Sequence, residues 1–111
     1  MMMEKSFNVF GKVQGIMFRQ TFIRSCHRRK LCAGASNSHE NKQMVTCTVS
    51  GNEEEIDSLL NDLLNLEKLN SWGARVEKIQ ELDLVFDLDK HQVTTENVDS
   101  FKWSEGVEFY L

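Results

Sequence analysis

A strand-like run that passes through two glycines into a helix start constrains this chain most. Residues 6–12 alternate, with Phe7 and Val9 on one side and Asn8 and Phe10 on the other. That is the period-two pattern of a half-buried strand. Gly11-Lys12-Val13-Gln14-Gly15-Ile16-Met17-Phe18-Arg19 follows. Residues 20–30 then read as a helix, with Phe22, Ile23 and Cys26 on one side. Arg24, Arg28, Arg29 and Lys30 crowd its C-terminal half, where cations suit the helix dipole. A chain that opens this way asks for a sheet with a helix laid across it.

The remaining pattern extends that arrangement. Residues 33–37 form a short, small-residue stretch that reads as a strand, and residues 38–42 a polar turn. In residues 44–50, Val45, Cys47 and Val49 alternate with Thr46 and Thr48, a second clear strand that Gly51 ends. Asn52 is placed to cap the strongest helix, residues 52–66. Glu55 sits three positions on, and Glu53 and Glu54 favour the first turn. Ile56, Leu59, Leu60, Leu63 and Leu64 make its apolar stripe, too short for a zipper and read as core. Residues 74–86 hold a further strand or two, residues 87–100 a polar loop, and residues 103–111 a last strand with Val107, Phe109 and Leu111 in alternation. The order is β-α-β-β-α-β with an additional C-terminal strand. It predicts an α+β, ferredoxin-like sandwich with two helices on one face of a mostly antiparallel sheet and the other face more exposed. No repeat, linker or low-complexity tract interrupts it, so residues 1–111 are expected to form a single domain.

Composition narrows the function classes. The chain has 111 residues, 41% hydrophobic and 27% charged, enough for one core without a disulfide or metal. A net charge of -4 is a poor basis for non-specific nucleic-acid binding, which needs many cationic contacts to phosphate. Met44 to Ser50 also lack the exposed aromatics of an RNA-binding sheet. Cys26, Cys32 and Cys47 are odd in number and irregular in spacing, which argues against a disulfide framework and for a reducing, cytoplasmic setting. No apolar run approaches the roughly 20 residues that span a bilayer. His27, His39 and His91 have no metal-ligand spacing, and Cys26 and Cys47 read as packing residues. With no apolar stripe beyond the core, a monomer is expected.

Chemistry concentrates at residues 11–19. A glycine-bearing loop entering a helix N-terminus can turn successive N–H groups toward one point and form an anion nest. Arg19 adds a permanent charge and a planar fork that matches phosphate or carboxylate oxygens. The Gly-Lys-Ser/Thr ending of a nucleotide-binding P-loop is missing. On these grounds alone the stretch is equally a glycine turn feeding a helix.

The residues Phe7 to Arg19 resemble the acylphosphatase signature, in which G-[RK]-V-Q-G-[VI]-x-F-R is the phosphate loop, a specific nine-residue match. Asn37 falls where the family's G-W-V-x-N places an asparagine. Gly51 fits the glycine closing the next hairpin, and Trp72-Gly73-Ala74-Arg75-Val76 is similar to the family's G-[PS]-x-A-x-V region. Phe101-Lys102-Trp103 and Val107-Glu108-Phe109 resemble the last strand of the animal-type enzymes. The resemblance implies hydrolysis of acyl phosphates to carboxylate and inorganic phosphate, with no cofactor or metal. It assigns the phosphate to Gln14, Gly15, Ile16, Met17, Phe18 and Arg19 and the orientation of water to Asn37. The alternative it leaves is a domain that binds phosphate or carbamoyl phosphate with little turnover, as occurs inside larger carbamoyl-transferring proteins. The chain's length and ending favour the free-standing enzyme.

Three departures accompany the likeness. Ala33-Gly34-Ala35 stands where the family has Gly-Trp-Val. Arg29 stands where it commonly buries an aliphatic residue, so its charge is expected either to reach water along a buried stem or to rotate the helix. The hairpin between Asn37 and Gly51 is about two residues longer than in the animal enzymes, by motif spacing.

Overall fold

The opening alternation forms strand β1 (Met2–Lys12) in the computed structural model, which describes residues 1–101 and 106–111. Helix α1 (Phe18–Arg28) follows, then β2 (Cys32–Asn37), β3 (Met44–Asn52), α2 (Glu53–Asn65), β4 (Arg75–Glu81) and β5 (Val93–Thr94). The five strands make one sheet in the order β4-β1-β3-β2-β5, and every neighbouring pair is antiparallel.

Register explains the core. Phe7 lies opposite Cys47 and Val9 opposite Val45, and on the far side Ala35 lies opposite Cys47. These side chains therefore share one sheet face, and all are fully buried. Phe22 of α1 meets Phe7 edge-on at 6.1 Å and stacks on Phe18 at 5.8 Å. Ile56, Leu59 and Leu63 of α2 close the same cluster. Both helices thus cover one face, the ferredoxin-like arrangement. Each large side chain fully buried here contributes about 1.5–3 kcal/mol relative to exposure.

The helices start differently. Asn52 caps α2, its Oδ1 accepting from the N–H groups of Glu54 (2.9 Å) and Glu55 (3.3 Å). α1 has no side-chain cap and no acidic residue in its first turn, and enters the helix through Met17 at φ 63°. At their other ends they are tied together. The partly exposed Arg29 guanidinium reaches across to α2. It pairs with Asp62 at 2.7 Å and donates to Ser58 Oγ at 3.0 Å, so the charge has partners on α2.

Two expectations are corrected. The fifth strand is Val93–Thr94, inside the stretch read as a polar loop, where it pairs with Gly34 and Ala35. Two residues between polar turns leave no alternation to detect. Conversely, the described part of the alternating run at the end, residues 106–111, makes an isolated bridge, Phe109 with Asn70, flanked by Ser71 N–H to Glu108 O and Tyr110 N–H to Leu69 O, both 2.8 Å. Its apolar residues Val107 and Leu111 are buried, so alternation records burial rather than membership of the sheet. Residues 103–105 of the run assigned to a last strand, and Lys102 before it, lie outside the described residues. The sheet face opposite the helices, expected to be the more exposed one, is partly covered, with Asn8, Phe10 and Thr46 only partly buried on it. Residues 82–92 cross it, and Ser6, Thr48 and His91 are buried there.

Candidate active site

The loop after β1 and the end of β2 open onto one cleft of about 270 Å³, lined by Gly15, Met17, Phe18, Arg19, Gln20 and Asn37, with Trp72, Val93 and Phe101 among its apolar residues. The loop is shaped by backbone conformation. Gly15 takes φ 72°, where a side chain is disfavoured, and Met17 takes φ 63° despite having one. Such a conformation in a non-glycine residue costs on the order of 1–3 kcal/mol and must be held by its surroundings.

Three side chains do the holding. Gln14 Nε2 donates to the carbonyls of Ser38 (2.9 Å), Asn41 (3.2 Å) and Met44 (2.8 Å), tying the loop to the β2–β3 hairpin. Thr21 Oγ1 donates to Met17 O at 2.7 Å. Asn70, fully buried, donates through Nδ2 to Ile16 O (2.9 Å) and to Thr21 Oγ1 (2.8 Å), while its Oδ1 accepts from the N–H groups of Trp72 and Ala74. Of the six loop residues singled out from the sequence, Gly15, Met17, Phe18 and Arg19 line the cleft. The side chains of Gln14 and Ile16 anchor the loop from behind.

The N–H groups of residues 15–19 make no hydrogen bond to a described residue. They are the uncapped donors of a helix start, which an anion can take up. Arg19 is half-buried, and burial lowers its pKa from the ordinary value; a guanidinium still keeps its proton at neutral pH. Lys5, Arg24, Arg29 and Lys90 each face a carboxylate. Arg19 has no carboxylate partner among the described residues, only Gln92 Oε1 at 2.9 Å. Asn37 enters the cleft from the end of β2, and its Oδ1 is buried without a hydrogen-bond partner among the described residues. A buried acceptor left unpaired costs about 1–3 kcal/mol, so this oxygen is open to a hydrogen-bond donor entering the cleft.

The departure at Gly34 is answered by a residue far along the chain. A Cβ on Gly34 would lie 2.6 Å from His91 Cδ2 and 2.7 Å from His91 Cβ and Cγ. The imidazole therefore sits directly over the glycine, on the sheet face where the resemblance leads one to expect a tryptophan. It is fixed there by Thr48 Oγ1 at 2.8 Å from Nε2 and Ser36 Oγ at 3.0 Å from Nδ1, and Thr48 in turn contacts Ser6 Oγ at 2.7 Å. Burial lowers the His91 pKa. The sequence pattern singles out His91 only to exclude it as a metal ligand, and gives Gln92 and Asn70 no role. Of these, Asn70 alone carries a local signal, an Asn opening the turn Ser71-Trp72-Gly73.

Other singled-out residues have structural partners. Burial pushes the Cys26 and Cys47 thiols up in pKa, which makes them unreactive packing residues. In the basic cluster of α1, Arg24 pairs with Asp99 at 3.3 Å, and Arg28 donates to the carbonyl of Leu111.

An antiparallel α+β sandwich thus brings an uncapped helix start, a guanidinium without a carboxylate partner among the described residues, and the Asn37 amide to one cleft. The chain belongs to the acylphosphatase family, whose model matches residues 5–101. Among solved structures it is similar to the acylphosphatase from Bacillus subtilis, with 24% identity, a TM-score of 0.57, and coverage of 82% of this chain and 92% of that one. The acylphosphatase from Coxiella burnetii is similar at 23% identity and a TM-score of 0.59, over 78% and 85% of the two chains. Full-length HypF in its phosphate- and nucleotide-bound form matches at 19% identity and a TM-score of 0.60, over 83% of this chain but 11% of HypF. The chain therefore spans about a ninth of that protein's length. No curated protein matches the chain in sequence. No helix among the described residues is long and apolar enough to cross a membrane.

Proposed function

We propose that this chain hydrolyses acyl phosphates at the cleft between residues 14–19 and Asn37. The phosphoryl group sits in the N–H groups of the loop, with Arg19 as its counter-charge. A water held by Asn37 attacks phosphorus, the bond from phosphorus to the carboxylate oxygen breaks, and carboxylate leaves with that bond's electron pair. The water's second proton passes to a phosphate oxygen. A carboxylate is a good leaving group, so positioning and charge stabilisation supply most of what the step requires. Asn37 cannot act as a base, but its carbonyl can accept a proton of the attacking water in a hydrogen bond. The observation that carries this reading is the buried, unpaired Asn37 Oδ1 in the same cleft as an Arg19 that lacks a carboxylate partner. The substrate is a small molecule, and the chain acts as a monomer without metal or cofactor. The unbridged, buried thiols of Cys26 and Cys47 support a cytoplasmic setting.

A second reading rests on the likeness to HypF from T. kodakarensis, 26% identical over 74% of this chain and 10% of that one. In that reading the cleft binds phosphate or carbamoyl phosphate with little turnover. Hydrolysis of benzoyl phosphate by purified protein, beside inhibition by inorganic phosphate, separates the two. Turnover that falls about 10³-fold in Arg19→Gln, together with loss of phosphate inhibition, is expected from the enzyme. Phosphate binding without turnover would establish the binder instead.

A further inference from the structure

Arg19 and Asn37 come from different elements and do not bond to each other, yet a single atom joins them. Gln92 Oε1 accepts from Arg19 Nη1 at 2.9 Å and from the Asn37 backbone N–H at 2.9 Å. Two donors converging on one atom of an amide identify that atom as oxygen, so the orientation of Gln92 follows from its partners. The backbone of Gln92 is itself held. Its N–H donates to Ser36 Oγ at 2.9 Å, its carbonyl accepts from Asn97 Nδ2 at 3.4 Å, and its neighbours His91 and Val93 are buried.

We propose that Gln92 is a positioning residue for the reaction at this cleft, a brace that sets the Arg19 guanidinium relative to Asn37; this rests on the hydrolytic reading above. An arginine side chain carries large rotamer freedom, and aligning its fork with the water ligand in the transition state costs less when that freedom is restricted beforehand. Anchoring one Nη restricts it while leaving the rest of the five-donor fork for phosphate oxygens. The same oxygen holds the Asn37 main chain, at the last residue of β2, where β5 is too short to pair with it. Register between the phosphate ligand and the water ligand is thereby set through one amide. Because Oε1 takes only one of the fork's donors, Gln92 braces the arginine rather than competing for its whole charge.

The test is steady-state kinetics on benzoyl phosphate with inorganic phosphate inhibition, using the full chain, for wild type, Gln92→Ala and Gln92→Leu. Gln92 is exposed, so both variants should fold with an unchanged melting temperature. A brace acts mainly in the transition state, where both ligands must be aligned at once. The expected result is a kcat about 10-fold lower in both variants, with the phosphate inhibition constant changed by less than about 3-fold. In an Arg19→Lys background, where the ammonium cannot reproduce the fork, Gln92→Ala should cost less than about 2-fold more. Wild-type kcat in Gln92→Ala overturns the proposal, as does an equal loss in the Arg19→Lys background. Tighter phosphate binding in Gln92→Ala would overturn it too, by making Gln92 a competitor. A wild type that binds phosphate without turnover fails at an earlier point, since it removes the reaction and with it the role proposed here.

Discussion

Two segments meet at the cleft, and they hold it in different ways. Residues 11–19 supply charge and a row of N–H groups through local backbone conformation, with the glycine, the left-handed Met17 and Arg19 all within a few positions. Residues 91–93 supply neither charge nor a backbone nest. They bring an imidazole over Gly34, an amide oxygen between Arg19 and Asn37, and an apolar wall at Val93. On the function proposed above, the first segment binds an anion by what it is, and the second orients the site by where the fold puts it. Anion affinity and catalytic alignment should therefore separate on mutation.

The sharpest separation is expected at Asn37. Its Oδ1 is buried without a partner among the described residues, and an amide oxygen can accept from a water but not from an ionised phosphate oxygen. Asn37→Ala should lower turnover of benzoyl phosphate by about 10²-fold, the scale of losing an oriented catalytic contact, and leave phosphate inhibition within a few-fold. Steady-state kinetics beside phosphate inhibition constants check both numbers at once. A parallel loss of phosphate affinity would show that the asparagine belongs to the anion nest, and the division between the two segments would collapse.

The same division governs what could be read from the chain. The β1–loop–α1 unit was legible because its periodicity, glycines and arginine are contiguous, and Asn52 announced α2 by its place before three glutamates and an apolar stripe. Strand β5 was not legible, since two residues have no period. The run ending at Leu111 was misread because burial against residues 69–71 imposes the same alternation as a sheet would. Arg19 and Asn37 stood out through a motif, whereas His91 and Gln92 are ordinary residues in a polar stretch. Their part in the cleft comes through contacts 43 or more positions away in sequence. Nor could the missing tryptophan before Asn37 be understood locally, because the ring that fills its face arrives from residue 91.

That replacement gives the next prediction. Gly34 has ordinary backbone geometry, so a methyl there adds no conformational strain of its own; its cost is the overlap with the His91 ring. Overpacking of this kind costs about 1–3 kcal/mol. Gly34→Ala should lower the urea midpoint accordingly, and should lower kcat as well, because His91 contacts Ser36 and Ser36 holds the Gln92 N–H. Adding His91→Ala to Gly34→Ala should then cost less than His91→Ala alone, the mark of a shared contact. Additive losses in denaturation curves would mean that the two positions do not sense each other, and that the cleft's second segment is held by something other than this packing.

The smallest expected effect is a pH dependence of that same contact. Burial lowers the His91 pKa below the ordinary value of 6.5. Its nearest described polar partners, Thr48 and Ser36, are hydroxyls that carry no compensating negative charge. The unfolded chain therefore takes up a proton at this histidine at higher pH than the folded chain does. Between the folded value and 6.5 the unfolded state holds more protons, so stability rises with pH there and is lost as pH falls. The contribution is fully present above 6.5 and declines below it, ahead of the range in which carboxylates titrate. Urea denaturation at pH 7.5 and at pH 5.5 should show a lower midpoint at the acidic value, and His91→Gln should reduce the difference. Turnover should follow the same course more steeply than phosphate inhibition, since protonation loosens the segment that aligns the site and leaves residues 15–19 in place. If His91→Gln kept the full pH difference in stability, the imidazole over Gly34 would not be its source.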